Sequence, residues 1–123
     1  MARLTSTEKR LRTEHMEQFP DCWLCPVLHR NQVQTTELHH IAGRPKGGEC
    51  RENYASLCKK CHCILQSRYD AELVCLYLKH KFDRAHYNPE RICELRRRSI
   101  TCWTHNDVEH CHNLLKLFLD LVR

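Results

Sequence analysis

Residues that break or loosen a chain are scarce: three glycines and four prolines in 123 positions, too few for long flexible linkers. No internal repeat and no low-complexity tract is present, which argues against a solenoid or a disordered tail. No apolar run is long enough to cross a bilayer, so no membrane partner is expected. Met1 to Phe19 is charged and lacks the apolar stretch of a secretory leader, so a cytoplasmic, reducing setting is expected.

What remains is one domain's worth of ordinary globular composition, 41% hydrophobic and 28% charged. A chain of this size buries a modest core and gains from an extra staple. Net charge is +5, unevenly spread. Arg44, Lys46, Arg51, Lys59 and Lys60 crowd one region, and Lys79, Lys81, Arg84, Arg91 and Arg96 to Arg98 another. Both runs suit phosphates, and both are equally what a solvated basic face looks like.

Ten cysteines and ten histidines are the unusual feature. In a reducing compartment paired thiols point to metal rather than to disulfides. Cys22-x-x-Cys25 and Cys58-x-x-Cys61 are two matched knuckles, each a tight turn that brings two thiolates to one tetrahedral ion. Together they predict a closed four-sulfur zinc site with no exchangeable position, hence a structural one whose binding energy is folding energy. Cys50 and Cys63 belong to neither Cys-x-x-Cys pair and are left outside it, although they lie near enough to substitute. Cys75, Cys93 and Cys111 fall on apolar helix faces. Cys102-x-x-His105 with His110, Cys111 and His112 hints at a second metal site, but the spacing is loose and surface histidines are the favoured reading. Trp23 and Trp103 read as packing residues, base stacking being the alternative.

Thr5-x-x-Glu8 is a capping box that predicts a helix from about Ser6 to Gln18, stopped before Pro20. Short strands are expected over Thr35 to His40 and Tyr54 to Cys58, separated by a loop with Gly43, Pro45, Gly47 and Gly48. From Cys61 to about Lys81 the chain reads as helical, with Leu65, Tyr69, Leu73 and Leu76 on one face. Asn88-Pro89 starts another helix to Ser99, and a last one begins between Thr104 and Asp107. The broad apolar face of that last helix either packs back on the domain or forms a homodimer.

Between the knuckles stand His39-His40 and Asn53, and His62 follows the last knuckle cysteine. Adjacent strand residues face opposite ways, so the two histidines need different partners. Neutral imidazole serves as a base or as a metal ligand near neutral pH. Framed by two Cys-x-x-Cys pairs, this set resembles the HNH endonuclease family with its ββα-metal motif, over roughly Cys22 to Arg68.

The resemblance implies an α+β fold: a ββα-metal core with a structural zinc over 21–81, an N-terminal helix over 1–20 and a helical extension over 82–123, all one domain. It implies a hydrolase cutting DNA phosphodiester bonds. His40 resembles the general base and Asn53 the asparagine that orients it. His39 and His62 resemble the ligands of a catalytic divalent cation. Gln66 stands where many relatives have a further histidine. Two protein ligands plus water suit magnesium or manganese, and imidazole also suits nickel, cobalt or zinc. Arg44 and Lys46 in the glycine loop, with Lys59 and Lys60, are the expected DNA contacts. The resemblance extends faintly to branched-DNA resolvases of phage, and a phage or prophage origin is expected by analogy. A zinc module that binds DNA without cutting it is the alternative outside catalysis.

Overall fold

The first helix starts by mutual capping. Thr5 Oγ1 accepts the Glu8 N–H at 3.1 Å, and Glu8 Oε1 accepts the Thr5 N–H at 2.9 Å. Helix α1, Ser6–Gln18, runs from this cap to Phe19, whose N–H closes on the His15 carbonyl just before Pro20. Both ends match the sequence expectation. The coordinates are a computed structural model that describes residues 3–27, 36–66 and 71–99.

The first knuckle is more regular than expected, because Leu24–Val27 forms a single helical turn, α2. It is tied to the centre of the molecule by Trp23. The Trp23 N–H donates to the Ser56 carbonyl at 2.9 Å, and the indole stacks on Phe82 at 5.9 Å and meets Phe19 edge-on at 5.3 Å. Packing is therefore the observed role of Trp23.

Strands β1, Glu37–His40, and β2, Tyr54–Leu57, form a two-stranded antiparallel sheet. Glu37 stands opposite Leu57, Leu38 opposite Ser56, His39 opposite Ala55 and His40 opposite Tyr54. All four β2 residues are buried, whereas β1 is buried only at His40. Each strand is slightly shorter than expected: Thr36 precedes the ladder, and Cys58 leaves it to begin the second knuckle.

Helix α3, Lys59–Gln66, begins two residues before the expected Cys61, inside the knuckle itself. Helix α4, Ala71–Phe82, follows, then a 3-10 turn over Arg84–His86 and helix α5, Pro89–Ser99. Asn88 Oδ1 caps α5 by accepting the Arg91 N–H at 3.0 Å. On α4, Lys79 is buried beside Asp83 at 2.9 Å and donates to the backbone carbonyls of Arg51 and Tyr54. The two hydrogen bonds and the ion pair tie α4 to the end of the loop and the start of β2. The core joins Leu57 of the sheet to Leu65, Cys75, Leu76, Leu78, Ile92 and Leu95 of the helices.

The molecule is thus a mixed helix and two-strand architecture around a four-cysteine cluster. Among the described residues no helix is long and apolar enough to cross a membrane. The expected last helix, and with it Cys102, Trp103, His105, His110, Cys111 and His112, lies outside the described residues, as does Tyr69.

Candidate metal centre and histidine site

The two knuckles meet. The sulfur atoms of Cys22, Cys25, Cys58 and Cys61 lie within 4.8 Å of one another, and all four residues are buried. Cys25 Sγ is 3.7 Å from both Cys58 Sγ and Cys61 Sγ. A tetrahedral ion with sulfur bonds of 2.3 Å requires sulfur-to-sulfur edges of about 3.8 Å, so the cage fits zinc. The chemistry of the donors agrees. Burial, with the neighbouring thiols, pushes Cys25 up to about 11 and Cys61 higher still. Cys58 runs the other way: burial opposes its ionisation, but the Cys61 N–H and the surrounding thiols bring it down to about 7. Four buried sulfurs gathered in one place are what a divalent cation binds and neutralises. Cys63 is exposed and Cys50 half-buried, and neither joins the cage.

The second knuckle also aims His62, whose N–H bonds to the Cys58 carbonyl at 2.8 Å. Its ring meets that of His39 edge-on, with centroids 4.8 Å apart. Glu37, two residues before His39 and therefore on the same strand face, contacts His62 Nδ1 through Oε2 at 3.1 Å. With Glu37 accepting, His62 donates from Nδ1, and in the neutral tautomer this leaves the lone pair on Nε2. A carboxylate behind a histidine in this way is the usual support of a metal-binding imidazole. Burial, then the charges of His62 and His40, hold His39 down to about 4, so it stays neutral and able to bind a cation. Glu37 was not singled out from sequence, although its period-two spacing from His39 carried the signal.

His40 turns to other partners. Its Nε2 lies 3.1 Å from both oxygens of Glu49 and its ring is perpendicular to that of Tyr54 at 5.5 Å. Glu49 is gripped from α1 by Arg12, whose Nε and Nη2 donate at 2.7 and 2.5 Å, and it accepts the Tyr54 hydroxyl at 3.0 Å. The Arg12 guanidinium leads in holding Glu49 down to about 2. An ionised carboxylate only accepts, so neutral His40 holds its proton on Nε2 and its lone pair on Nδ1. Burial lowers the His40 pKa despite Glu49, favouring the neutral form. Arg12, Glu49 and Tyr54 were invisible in the sequence because their contacts join α1, the loop and β2.

Asn53 is fully buried and touches the loop rather than the His40 ring. Its carbonyl accepts the Ile41 N–H at 2.9 Å. Its side chain accepts the Ala42 N–H at 2.8 Å and donates to the carbonyls of Gly43 and Gly48 at 3.0 Å. It therefore clamps the segment that leaves His40. Gly43 and Gly47 take left-handed φ values of 78° and 84°, which other side chains resist, and so let this loop fold back. Arg44 and Lys46 are exposed on the loop, and Lys59 and Lys60 are exposed at the start of α3. Comparison with known protein families, curated proteins and solved structures finds no match to this chain.

Proposed function

We propose that this chain is a metal-dependent endonuclease of the HNH type, with a ββα-metal core formed by β1, β2 and α3, acting on DNA. The observation that carries the reading is the meeting of His39 from the strand with His62 from the helix start, at 4.8 Å, one residue from a carboxylate-held His40. Zinc held by Cys22, Cys25, Cys58 and Cys61 is the scaffold.

A divalent cation, magnesium or manganese, held by His39 and His62 would supply positive charge at the scissile phosphate and the leaving oxygen. His40 Nδ1 takes the proton from the attacking water. Glu49 keeps that atom available by occupying Nε2–H and stabilises the imidazolium that results, as Arg12 and Tyr54 keep Glu49 in place. Asn53 fixes the backbone after His40, which is how it positions the base. Hydrolysis leaves a 5′ phosphate and a 3′ hydroxyl.

The test is nicking of supercoiled plasmid by zinc-loaded protein with added magnesium or manganese. Wild type nicks, and His40→Ala loses on the order of a hundredfold or more in rate while keeping its zinc and its circular dichroism spectrum. Equal nicking by His40→Ala removes the base assignment. A zinc-loaded, folded wild type that binds DNA but never cuts it leaves a binding module.

A further inference from the structure

Two basic clusters that are far apart in sequence meet in the fold. Helix α5 buries Ile92 and Leu95, and places Arg91 and Arg98, seven residues apart, on an adjoining face. Both guanidinium groups turn to a single oxygen: Glu94 Oε1 lies 3.2 Å from Arg91 Nη1 and 2.5 Å from Arg98 Nη2. The Glu94 side chain is 49% exposed, so this is an anion held at the surface between two arginines.

The glycine loop closes the other side. Arg98 Nη1 approaches the Lys46 carbonyl at 3.5 Å. A methyl group at Gly47 would come within 3.0 Å of Arg98 Nη1 and 3.5 Å of Arg91 Nη2, so the missing side chain lets the loop reach both arginines. The same loop carries exposed Lys46 and Arg44, and Arg44 is near enough for its charge to act on His40. Four of these five side chains are cationic and only Glu94 is anionic. Exposed pairs three and four residues apart on a helix are weak, so Glu94 is readily displaced. Two guanidinium groups around one oxygen match a phosphate, which carries charge on several oxygens at once.

We propose that Arg91 and Arg98 clamp a backbone phosphate of duplex DNA beside the Gly47 loop, with Glu94 occupying the clamp until DNA displaces it. The identity of the polyanion rests on the nuclease reading above. The clamp would hold the duplex on the side of the loop that leads back to His40.

The test uses the full-length, zinc-loaded His40→Ala chain and a fluorescent DNA duplex, with affinity measured by anisotropy across a potassium chloride series. Adding Arg91→Gln and Arg98→Gln should weaken binding and reduce the slope of log affinity against log salt by about 1, the loss expected for one phosphate contact. Adding Glu94→Gln should tighten binding several-fold at low salt, a gain that misfolding cannot produce. An unchanged salt slope in the double arginine variant, or no gain from Glu94→Gln, overturns the clamp. Nicking by protein with His40 intact separates the two claims. Nicking together with an unchanged slope overturns the clamp alone, and clamp behaviour without nicking supports the clamp and overturns the catalytic reading.

Discussion

Asn53 shows how much one side chain can organise. Its amide uses one acceptor and both donors inside a buried site, on Ala42, Gly43 and Gly48. Asn53→Ala would leave a buried N–H, a buried carbonyl and a part-buried carbonyl without their partner, each buried group costing about 1 kcal/mol or more. The expected loss is roughly 2–4 kcal/mol in urea unfolding, and the loop that follows His40 should lose hydrogen-exchange protection first. Asn53→Asp tests the donor side alone: it keeps the acceptor for Ala42 but faces two carbonyls with no N–H to offer. It should be at least as destabilised as the alanine variant. His40 and His39 illustrate the opposite division of labour. Neighbours in sequence, they share no partner: one is held by Glu49 and the other meets His62. Period-two alternation made that divergence legible in advance, and Glu37 beside His39 follows from the same rule.

At the scale of elements, the knuckles and α1 depend on different physics. Cys58 just after β2 and Cys61 in the first turn of α3 form the second knuckle, and the first knuckle meets it through Cys22 and Cys25. Cys58→Ser should abolish zinc retention, read by elemental analysis, and release the sheet from α2, read as loss of cooperative unfolding. A folded, monomeric Cys58→Ser protein with native stability would contradict the staple. Helix α1 is anchored instead by His15, its one buried residue. Ser56 Oγ donates to the Phe19 carbonyl and accepts from His15 Nε2 at 3.0 Å, so the proton of the neutral ring sits on Nε2. Burial, with the charge of Lys79 adding to it, lowers the His15 pKa from 6.5 to about 3. Between those values the unfolded chain binds the proton and the folded one does not, so stability falls as pH falls. Acidifying from pH 6.5 to about 4 should remove roughly 3 kcal/mol, at about 1.4 kcal/mol per unit. His15→Leu should flatten that slope in chemical denaturation at stepped pH, and an unchanged slope would show that other groups carry it. Because Arg12 sits on the same helix, loosening α1 also removes the grip on Glu49.

For the whole molecule, what was legible in the sequence was whatever short-range rules control. The Thr5–Glu8 cap, the Asn88 cap, the two knuckles and the alternation of β1 all depend on spacings of a few residues, and the structure has each of them. What was hidden depends on distant segments meeting. Arg12 reaches Glu49 across 37 positions and Arg98 reaches Lys46 across 52, and no local pattern announces either. Lys79 was read as part of a basic face, yet it is 1% exposed and satisfied by two carbonyls and Asp83. Tertiary pairing overrode the ordinary preference of lysine for solvent.

We propose that His39 and His62 share one divalent cation apart from the zinc cage. Manganese binding to zinc-saturated protein, followed by electron paramagnetic resonance, reads this out. One manganese per chain should bind to wild type, and none with comparable affinity to His39→Ala or His62→Ala, with zinc content unchanged in all three. Undiminished manganese binding by either variant would show that the two imidazoles do not share an ion.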